Sequence, residues 1–268
     1  MAGELRFHFG RNWQSFRRAA WTEARVAQAV RGLDELVGRH AIDGKSFLDI
    51  GSGSGLHSLA ANKLGAARVI SFDSDPDAVD CTRAVSDAAW DVLQGSVLDE
   101  GFMRSLGTFD VVYAWGVLHH TGDMWQAIEH AMIPTRPGGL FAIAIYNHVR
   151  GKPLTLSSES WRRLKRMYSG GTTLTQKTIL AGYVATRFFL TATSLRNPLR
   201  DIREYERERG MSWMHDARDW IGGYPYEFAT SERIERFVEE RGFHVLRKIP
   251  IHPNGTGNNQ WVFEKLTR

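Results

Sequence analysis

The stretch FLDIGSGSGL at residues 47–56, followed by VISFD at residues 69–73, decides the fold of this chain. The first run is typical of a buried strand that breaks into three alternating glycines and then enters a helix. Glycines let the backbone turn tightly and approach a ligand that a Cβ would exclude. Asp73 follows Gly51 by 22 positions, where an acid ending the second strand of a βαβ unit binds ribose hydroxyls. The two segments therefore predict a nucleoside-binding half-site.

The details of the loop indicate which nucleoside fits. A dinucleotide fingerprint, G-x-G-x-x-G, would place its third glycine where this chain has Leu56, whereas the third glycine comes one residue earlier, at Gly55. Asp49 ends the first strand beside the loop. A carboxylate there would repel a pyrophosphate and attract a cationic ligand. S-adenosylmethionine carries an ammonium and a sulfonium and no phosphate, so its charges suit this loop.

The pattern Asp-x-Gly-x-Gly-x-Gly after a strand, with an acid ending the next strand, resembles the class I S-adenosylmethionine-dependent methyltransferases. Residues 92–99 resemble that family's third strand and adenine-contacting turn, residues 109–120 its fourth strand and following loop, and residues 136–145 its Pro-Gly-Gly turn and fifth strand. In order and spacing the resemblance covers residues 44–147. It implies S-adenosylmethionine as the cofactor.

Within that superfamily, the pattern is nearest to the quinol O-methyltransferases of ubiquinone biosynthesis. The segment Leu118-His119-His120-Thr121 resembles that group's Leu-Glu-His-Val, with His119 in place of the acid. The resemblance implies methylation of a hydroxyl on a small molecule.

The alternation of strands and helices predicts an α/β fold with a parallel sheet and helices on both faces. We expect a Rossmann-like seven-stranded methyltransferase sheet, with an N-terminal helical segment and a helical insertion after the fifth strand. Strands are expected at 46–50, 68–73, 91–94, 109–114, 139–146, 243–249 and 258–265, and helices at 11–39, 55–64, 76–87, 123–132, 157–169, 174–195, 198–209 and 230–241. The expected divisions are a lid segment at 1–40, a cofactor-binding core at 41–147, a helical cap at 148–222, and a closing helix and hairpin at 223–268.

The cofactor residues follow from the motifs and the resemblance. The glycine loop would lie under the methionine part, Asp49 near its ammonium, and Asp73 on the ribose. Trp115 would lie near the methionine chain or would pack beneath the loop; the sequence leaves both open. The full predicted set is Asp49, Gly51, Ser52, Gly53, Gly55, Asp73, Ser74, Ser96, Val97 and Trp115.

Candidate catalytic residues stand just beyond the fourth and fifth strands. Methyl transfer to a hydroxyl needs a group that takes the proton, and histidine titrates near neutral pH. His119 and His120 are the candidates for this base, and the resemblance favours His120. Tyr146 at the end of the fifth strand faces the same pocket by topology. One of the histidines could instead bond backbone to shape the loop.

Acceptor-binding residues are expected from the N-terminal segment, the end of the fifth strand and the insertion. A polar and aromatic cluster suits a pocket for an aromatic or glycosidic substrate, although the same residues could lock the cap to the core. The predicted substrate residues are Trp13, Asn147, His215, Tyr224 and Tyr226. Histidines and acids show no tight metal-ligand spacing, so no metal is predicted.

Composition bounds the remaining alternatives. The net charge is +4, but residues 150–222 hold 14 Lys/Arg against 7 Asp/Glu, which fits solvated helix faces or an anionic small substrate. A single cysteine, Cys81, fits a reducing cytosol, and the N-terminus has no long apolar run of a secretory signal, so a cytoplasmic protein is expected.

Three alternatives stay open beside O-methylation of a small molecule. They are N- or C-methylation on the same scaffold, a nucleic-acid-modifying enzyme that docks through the basic insertion, and a role of residues 174–195 in membrane-surface contact or a homodimer. Nucleic acid is disfavoured because no aromatic stacking platform is recognisable.

Overall fold

The computed structural model describes residues 21–87, 90–151, 156–194, 197, 200–203, 213–252 and 255–267. The elements, in chain order, are α1 Glu23–Val37, β1 Ser46–Ile50, α2 Leu56–Lys63, β2 Arg68–Asp73, α3 Pro76–Arg83, β3 Trp90–Gln94, α4 Glu100–Ser105, β4 Phe109–Trp115, α5 Met124–Met132, β5 Thr135–Tyr146, α6 Ser158–Gly170, α7 Thr173–Thr193, α8 Trp213–Gly222, α9 Ser231–Glu239, β6 Phe243–Ile249 and β7 Asn258–Lys265. Short 3₁₀ turns lie at Arg39–Ala41 and Leu118–His120.

The sheet has seven strands in the order β3-β2-β1-β4-β5-β7-β6. Strands β1 to β5 are parallel, and β7 runs antiparallel between β5 and β6. This is the Rossmann-like methyltransferase sheet that the sequence predicts. The strand order reverses between β1 and β4, and doubly wound sheets bind ligands at the carboxyl ends of the strands beside such a reversal.

Side chains from β1 enter both faces of the sheet, which explains why apolar residues occupy the consecutive positions Phe47 and Leu48. Leu48 and Ile50 lie in the larger core cluster, with residues of β2, β4, β5 and α5. Phe47 points to the opposite face and packs in a second cluster with residues of α1 and α2. All three side chains are at most 1% exposed. Burial of each such side chain contributes about 1.5–3 kcal/mol.

Several element ends differ from the sequence prediction by a few residues, and two differences have a clear physical reason. Strand β5 begins at Thr135 and not at 139, because Thr135 pairs with Phe109 before the register shifts at the Pro-Gly-Gly turn. Helix α4 was not predicted. It is a short helix of 6 residues that starts at Glu100. The carboxylate of the preceding residue, Asp99, accepts a hydrogen bond from the Phe102 amide and caps the helix.

The insertion leaves the sheet and returns to it at one point. The Ala229 amide donates to the Tyr146 carbonyl, and the His148 amide donates to the Ala229 carbonyl, both at 3.1 Å. Helices α6, α7 and α8 pack on one another between these two positions. The inserted helices therefore stand over the carboxyl edge of the sheet. Within the described chain, none of the helices combines the length and hydropathy that crossing a bilayer requires.

Candidate functional site

The glycine loop after β1 has the backbone that its sequence predicts. Gly51, Gly53 and Gly55 have φ angles of 72°, 55° and 79°, a region that L side chains rarely adopt. A Cβ on Gly51 would lie 2.5 Å from the Val117 side chain, and one on Gly55 would lie 3.0 Å from the Thr82 Cα. The loop therefore requires glycine for both its backbone angles and its packing.

Asp73, at the end of β2, closes one side of this loop. Its Oδ2 accepts a hydrogen bond from the Gly53 amide at 3.1 Å, and its Oδ1 accepts one from the Asp75 amide at 3.0 Å. Burial raises the pKa of Asp73, while these amides lower it. The carboxylate is half-buried beside the glycine loop, and its binding of a ribose stays a prediction.

Asp49 lies deeper, on β1 below the loop, with only 2% of its surface exposed. The Ser58 hydroxyl donates to its Oδ2 at 2.5 Å. Burial raises the pKa of Asp49 to about 7, with the charge of Asp73 adding to the increase and the Ser58 hydrogen bond opposing it. Burial disfavours the ionised form of Asp49 in the unliganded protein. A cation bound beside this carboxylate would stabilise the ionised form.

A threonine that the sequence analysis did not select braces the loop from α3. Thr82 Oγ1 is 2.9 Å from the Ser52 hydroxyl and 3.3 Å from the Gly53 carbonyl, to which it donates. Ser52 and Thr82 are both buried, so the predicted Ser52 contributes to loop shape through this contact. Nothing in the local sequence marks Thr82, which lies 29 residues beyond Gly53.

The remaining predicted cofactor residues differ in exposure and in contacts. Ser74 is exposed and Ser96 is half-buried, and the Ser96 hydroxyl accepts from the Leu98 amide. The side chain of Val97 belongs to the core cluster, and its carbonyl is 3.0 Å from His130 Nδ1, so both groups have partners inside the protein. Trp115 is 39% exposed at the end of β4, which disfavours the alternative of core packing beneath the loop.

The two histidines after β4 have different environments. His119 is fully buried and packs on the Tyr146 ring at a centroid distance of 4.0 Å. His120 is half-buried, and its Nδ1 is 2.6 Å from the Pro225 carbonyl oxygen. Because a carbonyl only accepts, Nδ1 carries the proton in the neutral ring, and Nε2 is the basic nitrogen.

Burial also sets the charge of both imidazoles. It lowers the pKa of His120 to about 3, and the nearby Lys165 charge lowers it further, against the raising effect of the Pro225 carbonyl. Burial likewise lowers the pKa of His119, with the charges of His120 and Lys165 adding to the effect. Both rings are therefore neutral at physiological pH.

An aromatic wall joins the histidines to the insertion. The Tyr146 ring lies 5.6 Å from Trp220 and 4.8 Å from Tyr226 between centroids. Lys165 of α6 is fully buried, with its Nζ 4.1 Å from the Trp220 ring centroid and 4.7 Å from that of Tyr226, distances at which cation–π attraction is effective. Lys165 was not selected from the sequence, because its contacts come from residues more than 50 positions away.

The predicted acceptor residues divide into three groups. Asn147 is buried, and its side chain donates to the Gly255 carbonyl and accepts from Asn259, so it holds the β6–β7 hairpin. Tyr226 is 1% exposed and forms part of the aromatic wall, whereas Tyr224 is half-buried at the cis peptide bond to Pro225. Trp13 and the side chain of His215 lie outside the described residues.

Glu227 fixes the segment that carries Pro225 against the histidine turn. Its carboxylate accepts hydrogen bonds from the amides of Gly122 and Met124, at 3.1 and 3.2 Å, and its own amide donates to the His119 carbonyl at 3.0 Å. The acid also lies at the N-terminus of α5, where negative charge is favourable. Glu227 thus links the segment that follows the inserted helices to the turn that carries His119 and His120.

A cavity lies away from the glycine loop, and metal-ligating side chains do not cluster in the described part of the chain. In the part of the chain that the structure describes, no three His, Cys, Asp or Glu side chains are grouped to hold a metal ion. A cavity of about 490 Å³ lies at the other edge of the sheet, beside Lys45, Arg136 and Arg247. It is lined by the amino ends of β1 and β5 and is therefore remote from the glycine loop.

Comparison with known proteins agrees with the geometry. Residues 48–143 match the family model described as methyltransferase domain. Ribosomal protein L11 methyltransferase of Xanthomonas euvesicatoria is 45% identical over 58 residues, which are 22% of this chain and 19% of that protein. Its counterpart in Symbiobacterium thermophilum is 45% identical over 62 residues, 23% of this chain and 19% of that protein. The chain thus spans about a fifth of the length of these curated relatives.

Solved structures share the fold over most of the chain. Magnesium protoporphyrin IX methyltransferase of Synechocystis, with bound SAH, superposes with a TM-score of 0.53 at 13% identity, covering 95% of this chain and 93% of that one. PKMT2 of Rickettsia typhi, in complex with AdoHcy, gives a TM-score of 0.58 at 14% identity, covering 88% and 52%. At these identities the likeness concerns the fold alone.

The sheet order, the glycine loop with its two acids and the matched domain agree with one another. Within this chain the resemblance to a methyltransferase domain is shown for residues 48–143, and the fold is shared with solved methyltransferase structures. Residues 48–143 are the part of the chain that the family model covers.

Proposed function

We propose that the protein transfers the methyl group of S-adenosylmethionine to a hydroxyl oxygen of a small molecule, with His120 as the general base. The observation that carries the proposal is the hydrogen bond between His120 Nδ1 and the Pro225 carbonyl. It fixes the ring in the tautomer whose Nε2 accepts a proton. His119, which is fully buried, serves as part of the wall behind that ring.

The low pKa of His120 is compatible with this role. As the bond from the hydroxyl oxygen to the methyl carbon forms, the carbon–sulfur bond breaks and its electron pair returns to sulfur. The attacking oxygen becomes positively charged, so its proton becomes strongly acidic and passes to Nε2. A weak base suffices for such a proton, and the imidazole is already neutral because burial lowers its pKa to about 3.

The surroundings of His120 favour a planar, uncharged or anionic acceptor. Tyr146, Trp220 and Tyr226 present aromatic surface on the insertion side, and the buried Lys165 adds positive potential. Aromatic walls with a few polar groups are typical of small-molecule pockets. In the proposed complex, the glycine loop, Asp49 and Asp73 hold the cofactor, and Trp115 covers its reactive end. Tyr146 lies next to His120 and orients the acceptor.

The first test is a screen of small phenols, alcohols, carboxylic acids and amines with S-adenosylmethionine. The readouts are formation of S-adenosylhomocysteine and a mass gain of one methylene in the acceptor. Turnover restricted to amines would favour N-methylation. Turnover only with ribosomal protein L11 or with RNA would overturn the small-molecule proposal.

The second test changes the base and keeps its hydrogen bond. In His120→Asn the amide can still donate to the Pro225 carbonyl, but it has no basic nitrogen. We expect turnover to fall by about 100-fold or more, with the dissociation constant for S-adenosylhomocysteine unchanged. His244→Asn, on β6 beside Glu264, is the matched control and should keep full activity. Unimpaired turnover in His120→Asn would remove His120 from the mechanism.

A further inference from the structure

Four buried polar side chains form a hydrogen-bonded chain beneath the glycine loop. The Trp90 indole nitrogen is 2.7 Å from Ser71 Oγ, Ser71 Oγ is 2.6 Å from Ser58 Oγ, and Ser58 Oγ is 2.5 Å from Asp49 Oδ2. The four residues come from β3, β2, α2 and β1, and none is more than 5% exposed. This series of hydrogen bonds therefore crosses the sheet and ends at Asp49, below the glycine loop.

The number of donors and acceptors allows these hydrogen bonds to run in only one direction. An indole N–H can only donate, so Ser71 accepts from Trp90 and its own hydroxyl proton goes to Ser58. The Ser58 proton then goes to Asp49. A proton placed on Asp49 Oδ2 would turn the Ser58 hydroxyl back toward Ser71, and the Ser71 proton would have no acceptor left in the chain. The arrangement is therefore complete when Oδ2 of Asp49 carries no proton, a condition that the ionised carboxylate always meets.

The other groups around Asp49 oppose that ionisation. Asp73, on β2, adds a like charge to the cost of burial. Tyr113 on β4 is neutral, because burial and the Asp49 charge raise its pKa. His57 on α2 packs on Tyr113 and is also neutral, because burial lowers its pKa to about 4. No positive charge within this group offsets the acid. The Ser58 hydroxyl, and to a smaller extent the Ser58 amide, stabilise the ionised form of Asp49.

We propose that Trp90, Ser71 and Ser58 are positioning residues that hold Asp49 ionised and oriented for the ammonium group of S-adenosylmethionine. The inference rests on the proposed role of Asp49 in cofactor binding. In the unliganded protein Asp49 is partly protonated near neutral pH. Since the cofactor binds the ionised form, binding releases a proton, and affinity rises as the pH rises past the pKa of this acid.

The test measures the dissociation constant of S-adenosylhomocysteine by calorimetry as a function of pH. For the wild type, affinity should increase about tenfold between about pH 6 and pH 8, because the ionised fraction of an acid with a pKa of about 7 changes by that factor. In Ser58→Ala the midpoint should move up by about one pH unit, with binding about fivefold weaker at pH 7. Ser71→Ala and Trp90→Phe should shift it in the same direction by smaller amounts.

Ser46→Ala is the matched control. Ser46 also donates its hydroxyl to an aspartate, Asp110, at 2.6 Å, but at the opposite end of β1. Its removal should leave the pH midpoint for S-adenosylhomocysteine where it is in the wild type. A shift equal to that of Ser58→Ala would show a general effect on the strand and would overturn the inference.

A double variant separates positioning from structural support. Ser71→Ala leaves the Trp90 N–H buried without its acceptor, which lowers stability, and adding Trp90→Phe removes that donor. The double variant should therefore be more stable than Ser71→Ala and should still have the raised pH midpoint. A return of the midpoint to the wild-type position would overturn the inference.

Different experimental results would overturn this inference and the proposed cofactor site. Wild-type binding of S-adenosylhomocysteine with one unshifted midpoint in Ser58→Ala, Ser71→Ala and Trp90→Phe would overturn the positioning role alone. Absence of wild-type binding at every pH would overturn both that role and the proposed site.

Discussion

At Gly51, only glycine suits both the backbone angle and the surrounding side chains. Its φ of 72° and the 2.5 Å approach of a Cβ to Val117 mean that Gly51→Ala would have to strain the backbone and displace the turn leading to the histidines. We expect a loss of about 1–3 kcal/mol in the free energy of unfolding and a weaker dissociation constant for S-adenosylhomocysteine. Chemical denaturation and calorimetry measure the two effects.

Gly107→Ala is the matched control for this change. Gly107 has a φ of 77°, but nothing lies within 4 Å of an added Cβ. It therefore carries the backbone strain without the clash and is remote from the loop. Cofactor binding should stay at the wild-type level in Gly107→Ala. Equal losses of affinity in both variants would contradict the steric explanation.

At the residue scale, the spacing of the local motif predicted the shape of the loop. The three glycines have positive φ angles, and Asp73 accepts a hydrogen bond from the loop, whereas cofactor binding by these residues stays a prediction. Ser58, Ser71, Thr82 and Trp90 were missed, because each acts through a partner on another element. Isolated serines in a helix and a buried strand have no spacing that distinguishes a structural hydroxyl from a solvated one.

Among the elements, the 3₁₀ turn with the histidines depends on a distant acid. Glu227 accepts hydrogen bonds from the amides of Gly122 and Met124 and donates its own amide to His119. In Glu227→Ala two amides lose a charged acceptor. We expect the unfolding free energy to fall by about 1–3 kcal/mol, and turnover to fall because His120 is less well positioned.

Glu129→Ala provides the control for Glu227. Glu129 is more than half exposed and makes a surface ion pair with Arg241, so its removal should change stability by less than about 1 kcal/mol. Affinity for S-adenosylhomocysteine should be unchanged in both variants. A Glu227→Ala protein with wild-type stability and turnover would show that the turn is held by other contacts.

Element prediction succeeded where burial and periodicity agree and failed where an element is short. The strands of the sheet lie where apolar runs alternate with helices, since parallel strands are buried on both faces. Helix α4 has only 6 residues, too few for a helical period to be visible. The contacts of α6 and α8 with the core could not be predicted for another reason. The sequence shows that a helix is amphipathic, but it does not show which element packs on each face.

At the scale of the whole molecule, the core and the insertion meet at one edge of the sheet. The reversal of strand order between β1 and β4 places the glycine loop and the histidine turn at one edge. The insertion begins and ends beside that edge, at Tyr146 and Ala229. The sequence predicted a helical cap after the fifth strand, and the structure has helices α6, α7 and α8 there. The acceptor could not be identified from the sequence, because the contacts of these helices depend on their packing and not on their composition.

Global stability should depend on pH through Asp49. Its folded pKa of about 7 lies above the ordinary value of 3.8, so between these values the folded state holds more protons than the unfolded state. The free energy of unfolding therefore falls as the pH rises through this window, by about 4 kcal/mol for this group. Asp49→Asn, which has no titrating group, should lack this part of the pH dependence.

Cofactor binding should reverse the trend, because the ligand's ammonium compensates the ionised Asp49. The increase in melting temperature caused by S-adenosylhomocysteine should be larger at pH 8 than at about pH 6, although the free protein is less stable at the higher pH. In Asp49→Asn the increase should be small and nearly independent of pH. Thermal unfolding of both proteins, with and without the ligand, measures all four quantities. An equal ligand-induced increase at both pH values in the wild type would show that Asp49 does not receive the cationic end of the cofactor.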